Sequence, residues 1–331
     1  MAPTQKGLFL DAKFAPFTLK EHSIPKPGPS QLLVRIEATA LNPVDWKIQK
    51  YGIFIEDYPA LIGTDIAGVV EEVGEGTSGF AKGDRVISTI YSHELTDNCE
   101  GMSMPLSRDA TIPVAAAAAV AGSYLPQPHG AGLTTPFDAS GRGKYAGKPV
   151  LILGGATSVG QFVIQFAKLS GFSEIIATAS VKHEIFLKSL GATHVLDRNL
   201  STAELDAEIR KLTSKPIEFV YDAVSLPGTQ TMGYSILANG GTLILVLPSQ
   251  VKAVEGKNVY TCLGIWTFPF TKDLGEHFYA SLTELLETGE IKPNRVEVVP
   301  GGLAGIAGSL KRLELNQVSG VKLVVHPQET V

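Results

Sequence analysis

The sequence predicts an α/β protein of two domains, one of them a doubly wound parallel sheet. Three observations carry the prediction. From about residue 149 onward, short apolar runs alternate with helical periodicity, the rhythm of buried parallel strands joined by crossover helices. A glycine-rich turn at 154–160 joins the first of those strands to the first of those helices. Ahead of them, residues 1 to about 92 read as strands separated by Gly, Pro and Asp turns. A length of 331 residues suits two domains at roughly 150 residues each.

In chain order, QLLVRIEATAL (31–41) alternates apolar and polar residues, as a half-buried strand does. TDIAGVVEEVGEG (64–76) is a second strand ending in a glycine turn, and FAKGDRVIS (80–88) holds a Gly-Asp turn and a third. With the prolines of IPKPGP (24–29), they predict a Greek-key or barrel-like β domain. PQPHGAGLTTPFDASGRGKYAGKP (126–149) is a long Gly/Pro-rich loop. Such a loop inside a compact chain is expected to be functional or mobile, the alternative being a surface insertion. PVLILGG (149–155) is an apolar strand, and the helix after it sets Val159, Phe162, Val163, Phe166 and Ala167 on one face before Gly171. EIIATA (174–179), HEIFLKSLGA (183–192), HVLD (194–197), a helix over 202–213, EFVYDAV (218–224), a helix over 228–237 and GGTLILVLP (240–248) continue the alternation. The tail is helical in FYASLTELLETG (278–289) and LAGIAGSLKRLEL (303–315). It closes with the strand GVKLVVHP (320–327), expected to rejoin the first domain.

Composition excludes several classes. Apolar residues are 44% and charged residues 18%, enough to bury a core and too few charges for wholesale disorder. With 28 basic and 33 acidic residues the net charge is −5, unlike the basic surface of a general nucleic-acid binder. Two cysteines, Cys99 and Cys262, allow no disulfide framework and no four-cysteine zinc site. The N-terminus lacks a signal-peptide pattern, and the longest apolar run, Val114–Ala121, falls short of the ~20 residues that span a membrane. A cytoplasmic protein that acts on a small molecule is expected.

The strongest local signal is LILGGATSVGQ (151–161). Gly155 and Gly160 permit a tight turn and a close backbone approach. The helix start at Thr157, Ser158 and Val159 offers N–H groups and the positive end of a dipole to a pyrophosphate. The pattern departs from G-x-G-x-x-G by placing Thr157 at the middle glycine. A glycine turn made only for packing is the alternative reading. NAD binders carry an acid about 20 residues onward, at the tip of the second strand. Here that strand runs into Ser180-Val181-Lys182, with no carboxylate. Ser180 and Lys182, with Arg198 after the next strand, suit a 2′-phosphate, so the expected cofactor is NADPH. Alternatively, Lys182 and Arg198 are solvated surface charges.

ALNPVDWKI (40–48), PALIGTDIAGVVEEVGEG (59–76), FAKGDRV (80–86), GGATSVGQ (154–161), LKSLGATHVLD (187–197) and SGVKLVVHP (319–327) together resemble a zinc-independent medium-chain dehydrogenase/reductase. The branch is similar to fungal enoyl reductases that act with polyketide synthases, and to quinone oxidoreductases. The resemblance implies a GroES-like β-barrel domain over 1–121, a Rossmann NADPH-binding domain over 122–279, a return to the first domain over 280–331, and an active site in the cleft. It also implies a monomer or a homodimer built on the sheet edge.

Zinc-dependent members carry G-H-E where this chain has Gly63-Thr64-Asp65, and no cysteine follows strand 31–41. No catalytic zinc is therefore expected. Hydrogen-bond donors must then stabilise the charge that builds on a substrate carbonyl. Asn42 and Lys47 are the candidates, Lys47 by carry-over from the enoyl reductases. Some of those enzymes use a tyrosine in this region, and the resemblance implies Tyr51 as the proton donor, though its spacing from Asn42 differs from theirs. Asn42 and Asp45 also read as an N-cap and N3 around Pro43, and Tyr51 as a partly buried tyrosine. By position, Val224 (after Asp222), Leu247 (before Pro248), Leu263 (before Gly264) and Lys322 are expected at the cofactor. Two departures stand out. Ala118 replaces a threonine common in the relatives, and the segment 85–109 is short. The expected function is NADPH-dependent reduction of an activated C=C bond. Quinone or carbonyl reduction, and cofactor binding with little turnover, are the alternatives.

Overall fold

The computed structural model describes residues 3–91, 94–95, 105–252, 254 and 256–331. Cys99 and much of the short 85–109 segment lie outside the described residues. The chain forms two compact units, one from residues 1–114 and 293–331, the other from 115–292.

The first unit begins with β1 (Thr4–Leu10), β2 (Phe17–Ser23) and β3 (Leu32–Ala40). Then follow α1 (Pro43–Tyr51), β4 (Ala60–Leu61), β5 (Asp65–Val73), β6 (Arg85–Tyr91), β7 (Glu94–Leu95) and the short α2 (Leu106–Asp109). The three strands read from sequence are β3, β5 and β6, paired antiparallel. The register of β3 on β5 slips between Leu33 and Val34 and between Ile36 and Ala38, and such irregularities bend a sheet so that it curls. α3 (Pro113–Tyr124) leads into the second unit.

The second unit holds β8 (Pro149–Leu153), α4 (Ser158–Leu169), β9 (Glu174–Ala179), α5 (Glu184–Leu190), β10 (His194–Asp197) and α6 (Thr202–Leu212). It continues with β11 (Phe219–Asp222), α7 (Pro227–Ile236), β12 (Thr242–Leu245), β13 (Asn258–Thr261) and α8 (Pro269–Glu287). The sheet order is β10-β9-β8-β11-β12-β13, all parallel. This is the doubly wound order that reverses direction between its first and fourth strands, here β8 and β11. Leu151, Leu153, Val220, Leu243 and Leu245 pack as its core.

The chain then returns to the first unit with β14 (Val296–Val299), α9 (Ile306–Glu314) and β15 (Lys322–Val325). β15 pairs antiparallel with β3, so the last strand completes the first sheet.

Three differences from the sequence reading have physical causes. α8 starts at Pro269, well before Phe278, because Pro269 is a permitted first helical residue that period counting passes over. β13 and β14 are four-residue strands, too short to show a period. The 126–149 loop is fastened: Ala131 N donates to Gly122 O at 2.8 Å and Tyr145 N to Ser170 O at 3.0 Å. Tyr145 also stacks on Phe172, and Phe137 packs on Tyr124 and Phe166.

Candidate functional site

In the second unit, the first turn after β8 is shaped by its glycines. Gly154 takes φ +79°, and a Cβ there would stand 2.4 Å from Val224 Cγ2. A Cβ on Gly155 would meet Ala177 Cβ at 2.8 Å, and one on Gly160 would lie 2.3 Å from Gly154 O. Only glycine lets α4 sit this close to the strand ends. Thr157 is the N-cap of α4, its Oγ1 accepting from Gly160 N at 3.0 Å. Ser158 and Val159 open the helix, at the positive end of its dipole. Thr157 therefore stands at the middle glycine's place because it caps the helix.

Ser180, Lys182 and Arg198 come together at the tips of β9 and β10. Asp197 pairs with Ala179 across the two strands, and Arg198 N donates to Ala179 O at 2.9 Å. Lys182 and Arg198 are exposed, and neither makes an ion pair among the described residues. Asp197, the residue before Arg198, turns its Oδ1 to accept from Asn199 N at 2.9 Å.

Val224 follows β11 and packs beside Gly154, across the reversal in strand order. Asp222 Oδ1 holds the turn there, accepting from Val224 N at 3.0 Å and Ser225 N at 2.8 Å. Burial raises the Asp222 carboxyl above its ordinary value. Leu247 follows β12, its carbonyl accepting from Thr261 Oγ1. Leu263 is 45% exposed beside Gly264, whose Cβ would stand 2.8 Å from Ala118 N. The segment after β13 thus lies directly on α3 at Ala118. Tyr221 Oη donates to Ala118 O at 2.7 Å from beneath.

In the first unit the structure joins Asn42 to Lys322 in a buried polar network. Asn42 Nδ2 donates to Thr64 Oγ1 at 3.0 Å and to Asp65 Oδ2 at 2.9 Å, while Oδ1 accepts from Lys322 Nζ. An ammonium only donates and a carboxylate only accepts, so these partners fix which way the amide points. Lys322, 3% exposed, also pairs with the fully buried Asp65 at 3.1 Å. Asp65 Oδ1 accepts from Val114 N at 2.8 Å. Sequence reasoning put Lys322 with the cofactor, whereas its ammonium is held by Asp65 and Asn42. The signal that finds this is a lone lysine in a strand whose neighbours are all apolar.

Asp45 Oδ2 accepts from Asn42 N at 2.7 Å, the capping contact expected at N3. Its Oδ1 is buried and has no hydrogen-bond partner among the described residues, and burial pushes the carboxyl up to about 7. Lys47 is half-buried, its Nζ 5.6 Å from the Trp46 ring centroid, with no ion pair among the described residues. Desolvation lowers its pKa. Tyr51 is 52% exposed, not partly buried as the sequence suggested. It ends α1, where no further turn covers it, and tilts against Trp46. Helix geometry puts Lys47 and Tyr51, four residues apart, on one stripe of α1.

The sequence matches two family models, the alcohol dehydrogenase GroES-like domain over residues 28–125 and the zinc-binding dehydrogenase domain over 158–259. A trans-enoyl reductase of Aspergillus sclerotiorum is 31% identical, the alignment covering 88% of this chain and 92% of the relative. A dehydrogenase of Emericella nidulans is also 31% identical, over 91% of this chain and 93% of its own. Among solved structures, a putative zinc-dependent alcohol dehydrogenase from Rhizobium etli superposes with a TM-score of 0.79 at 21% identity, covering 98% of this chain and 99% of its own. A mycobacterial quinone oxidoreductase gives 0.73 at 23%, covering 97% and 99%.

The chain belongs to the medium-chain dehydrogenase/reductase superfamily, with a GroES-like domain and a Rossmann-like domain. Within it the chain is an oxidoreductase of the nicotinamide-dependent class, similar to fungal trans-enoyl reductases.

One family model carries zinc in its description. No group of three or more His, Cys, Asp or Glu side chains among the described residues could hold a metal. At Asn42, Thr64 and Asp65 the oxygen and nitrogen atoms are bonded to each other and to the Lys322 ammonium. No described helix is long and apolar enough to cross a membrane.

Proposed function

We propose that the protein is an NADPH-dependent reductase of activated C=C bonds that works without zinc. The observation that carries the reading is the pair of exposed cations, Lys182 and Arg198, beside Ser180, neither of them in an ion pair among the described residues. That arrangement suits a 2′-phosphate, and the tip of β9 lacks the carboxylate that takes the pair of ribose hydroxyls in NAD binders. The reaction class follows the trans-enoyl reductases to which the chain is similar.

The dinucleotide, when bound, supplies the hydride. Gly155, Thr157, Ser158, Val159 and Gly160 receive its pyrophosphate, and Val224, Leu247 and Leu263 line its nicotinamide end. Lys47 stabilises the negative charge that builds on the substrate carbonyl oxygen. A desolvated ammonium with no ion pair among the described residues is suited to that work, since none of them neutralises its field. Tyr51 delivers the proton to the α-carbon. Asn42 has both amide hydrogens committed, so it acts as a positioning residue that fixes the start of α1. Lys322 acts with it through Asp65. The enzyme works in the cytoplasm on a small molecule, as a monomer or a homodimer.

The test is NADPH consumption with an enone, a quinone and an aldehyde in turn, with product analysis. The reading expects saturation of the enone C=C bond. Turnover of the quinone alone favours the quinone oxidoreductase alternative, and tight NADPH binding without turnover favours a binding protein. Lys47→Ala is expected to lower kcat/KM at least ~10-fold, and an unchanged value removes Lys47 from the mechanism.

A further inference from the structure

Ser107, His326 and Glu329 form a chain of hydrogen bonds in the first unit, built from residues the reductase reading does not use. Ser107 Oγ lies 2.7 Å from His326 Nε2, and His326 Nδ1 lies 3.1 Å from Glu329 Oε1. A carboxylate cannot donate, so Nδ1 carries the ring proton. Neutral imidazole then has its lone pair on Nε2, and the Ser107 hydroxyl donates to it. This is the order nucleophile, base, acid that acyl-transfer enzymes use on unrelated folds.

Both halves of the chain are held. Ser107 lies in α2, which ends at the fully buried Asp109, paired with Arg85 at 3.0 Å. His326 follows the last strand, and Glu329 ends the 3-10 turn Pro327–Glu329. There Glu329 N donates to His326 O at 3.0 Å. Leu303 N donates to Thr330 Oγ1 at 2.9 Å, and Gln328 Nε2 reaches Ile36 O, which ties down the far side of that turn. Ser107 and His326 are each partly exposed, so a reactant can reach them. The next residue, Arg108, is exposed and carries a guanidinium, a donor type suited to an oxyanion.

We propose that Ser107, His326 and Glu329 are a second catalytic site, one that hydrolyses small activated acyl esters or thioesters. Ser107 Oγ attacks the acyl carbon while His326 Nε2 takes its proton. The C–O or C–S bond breaks, the leaving group departs with that proton, and the acyl group stays on Ser107. Water, deprotonated by His326, then releases the carboxylic acid and restores the serine. Glu329 is the positioning residue, holding the ring and stabilising the imidazolium. At 48% exposure its effect is screened, so modest turnover is expected.

The experiment treats the full chain with a fluorophosphonate ester and measures its intact mass, then maps the adduct. Hydrolysis of p-nitrophenyl acetate is followed in parallel. A single adduct on Ser107 is expected, absent from Ser107→Ala, with hydrolysis at least ~10-fold lower in Ser107→Ala and His326→Gln. Glu329→Gln should lower kcat and leave KM in place, a split that loss of structure would not give. No adduct on Ser107 of the unaltered protein overturns the proposal, whether or not the variants fold. So does a Ser107→Ala protein with normal melting temperature that hydrolyses the ester at the full rate. A Glu329→Gln protein with unchanged kcat removes Glu329 from the site.

Discussion

Two buried residues, Asp45 in the first turn of α1 and Lys322 on β15, make opposite electrostatic demands. Asp45 is buried with one oxygen unpaired among the described residues, and its carboxyl is raised to about 7. Its folded value lies above its unfolded one, near 4. Its share of stability is therefore full below about pH 4 and is lost as pH rises through about 7. Asp45→Asn keeps an oxygen for the Asn42 amide and cannot ionise. Its melting temperature is expected to gain on the unaltered protein between about pH 4 and 7 and to hold that gain above. A constant difference across that window would show that Asp45 does not titrate there. Lys322 is the reverse case, a buried cation that its neighbours need. Lys322→Met strands the Asp65 carboxylate in the core, a loss of about 3–5 kcal/mol for a broken buried pair. Denaturant unfolding should show it, and Lys322→Met with Asp65→Asn should recover a large part. An equally unstable double variant would mean that packing of the lysine stem, not charge, dominates.

At the scale of elements, the turn between β8 and α4 and the tips of β9 and β10 hold most of the candidate cofactor site. Gly160 cannot carry a Cβ, because it would lie 2.3 Å from a backbone oxygen of the same turn. Close helix packing of this kind is what brings the α4 amides to the sheet edge. In the proposed function, the cation pair at the neighbouring tips is what selects the coenzyme. Lys182→Ala and Arg198→Ala are each expected to weaken NADPH binding about 10-fold, the worth of one charged hydrogen bond, and to leave NADH unchanged. Fluorescence titration with both coenzymes measures it. Equal losses for the two would move these residues away from the 2′-phosphate. α1 shows how one element serves two ends. Its first turn anchors in the Asn42–Asp65–Lys322 network, while its outer stripe carries Lys47 and Tyr51.

Over the whole molecule, the first unit is assembled from both ends of the chain and the second from one continuous stretch. The consequence is unequal autonomy. A fragment spanning residues 113–292 keeps all six strands of the parallel sheet and is expected to melt cooperatively and to bind NADPH. Removing residues 293–331 strips β14 and β15 from the other sheet and takes Lys322 from Asp65. Calorimetry on the fragment checks the first expectation, and a broad, uncooperative transition would contradict it.

The same division explains what could be read in advance. EIIATA and HVLD appear as β9 and β10 at the boundaries expected, and the helix read over 202–213 ends one residue sooner. Each is a local segment with its own period and its own caps, in a stretch where neighbours in sequence are neighbours in the sheet. The glycine turn was legible for the same reason, since its whole mechanism lies within seven residues. The sequence by itself thus determined the strand–turn–helix of β8 and α4 and the absence of an acid at the tip of the next strand. Only the tertiary structure decided that Lys322 belongs to Asp65 and Asn42, that Tyr51 stands exposed at a helix end, and that Ser107 meets His326. Those pairings join residues as many as 280 positions apart. They depend on the register of β15 on β3 and of β3 on β5, set by the fit of many side chains at once. No local window of the chain carries that information.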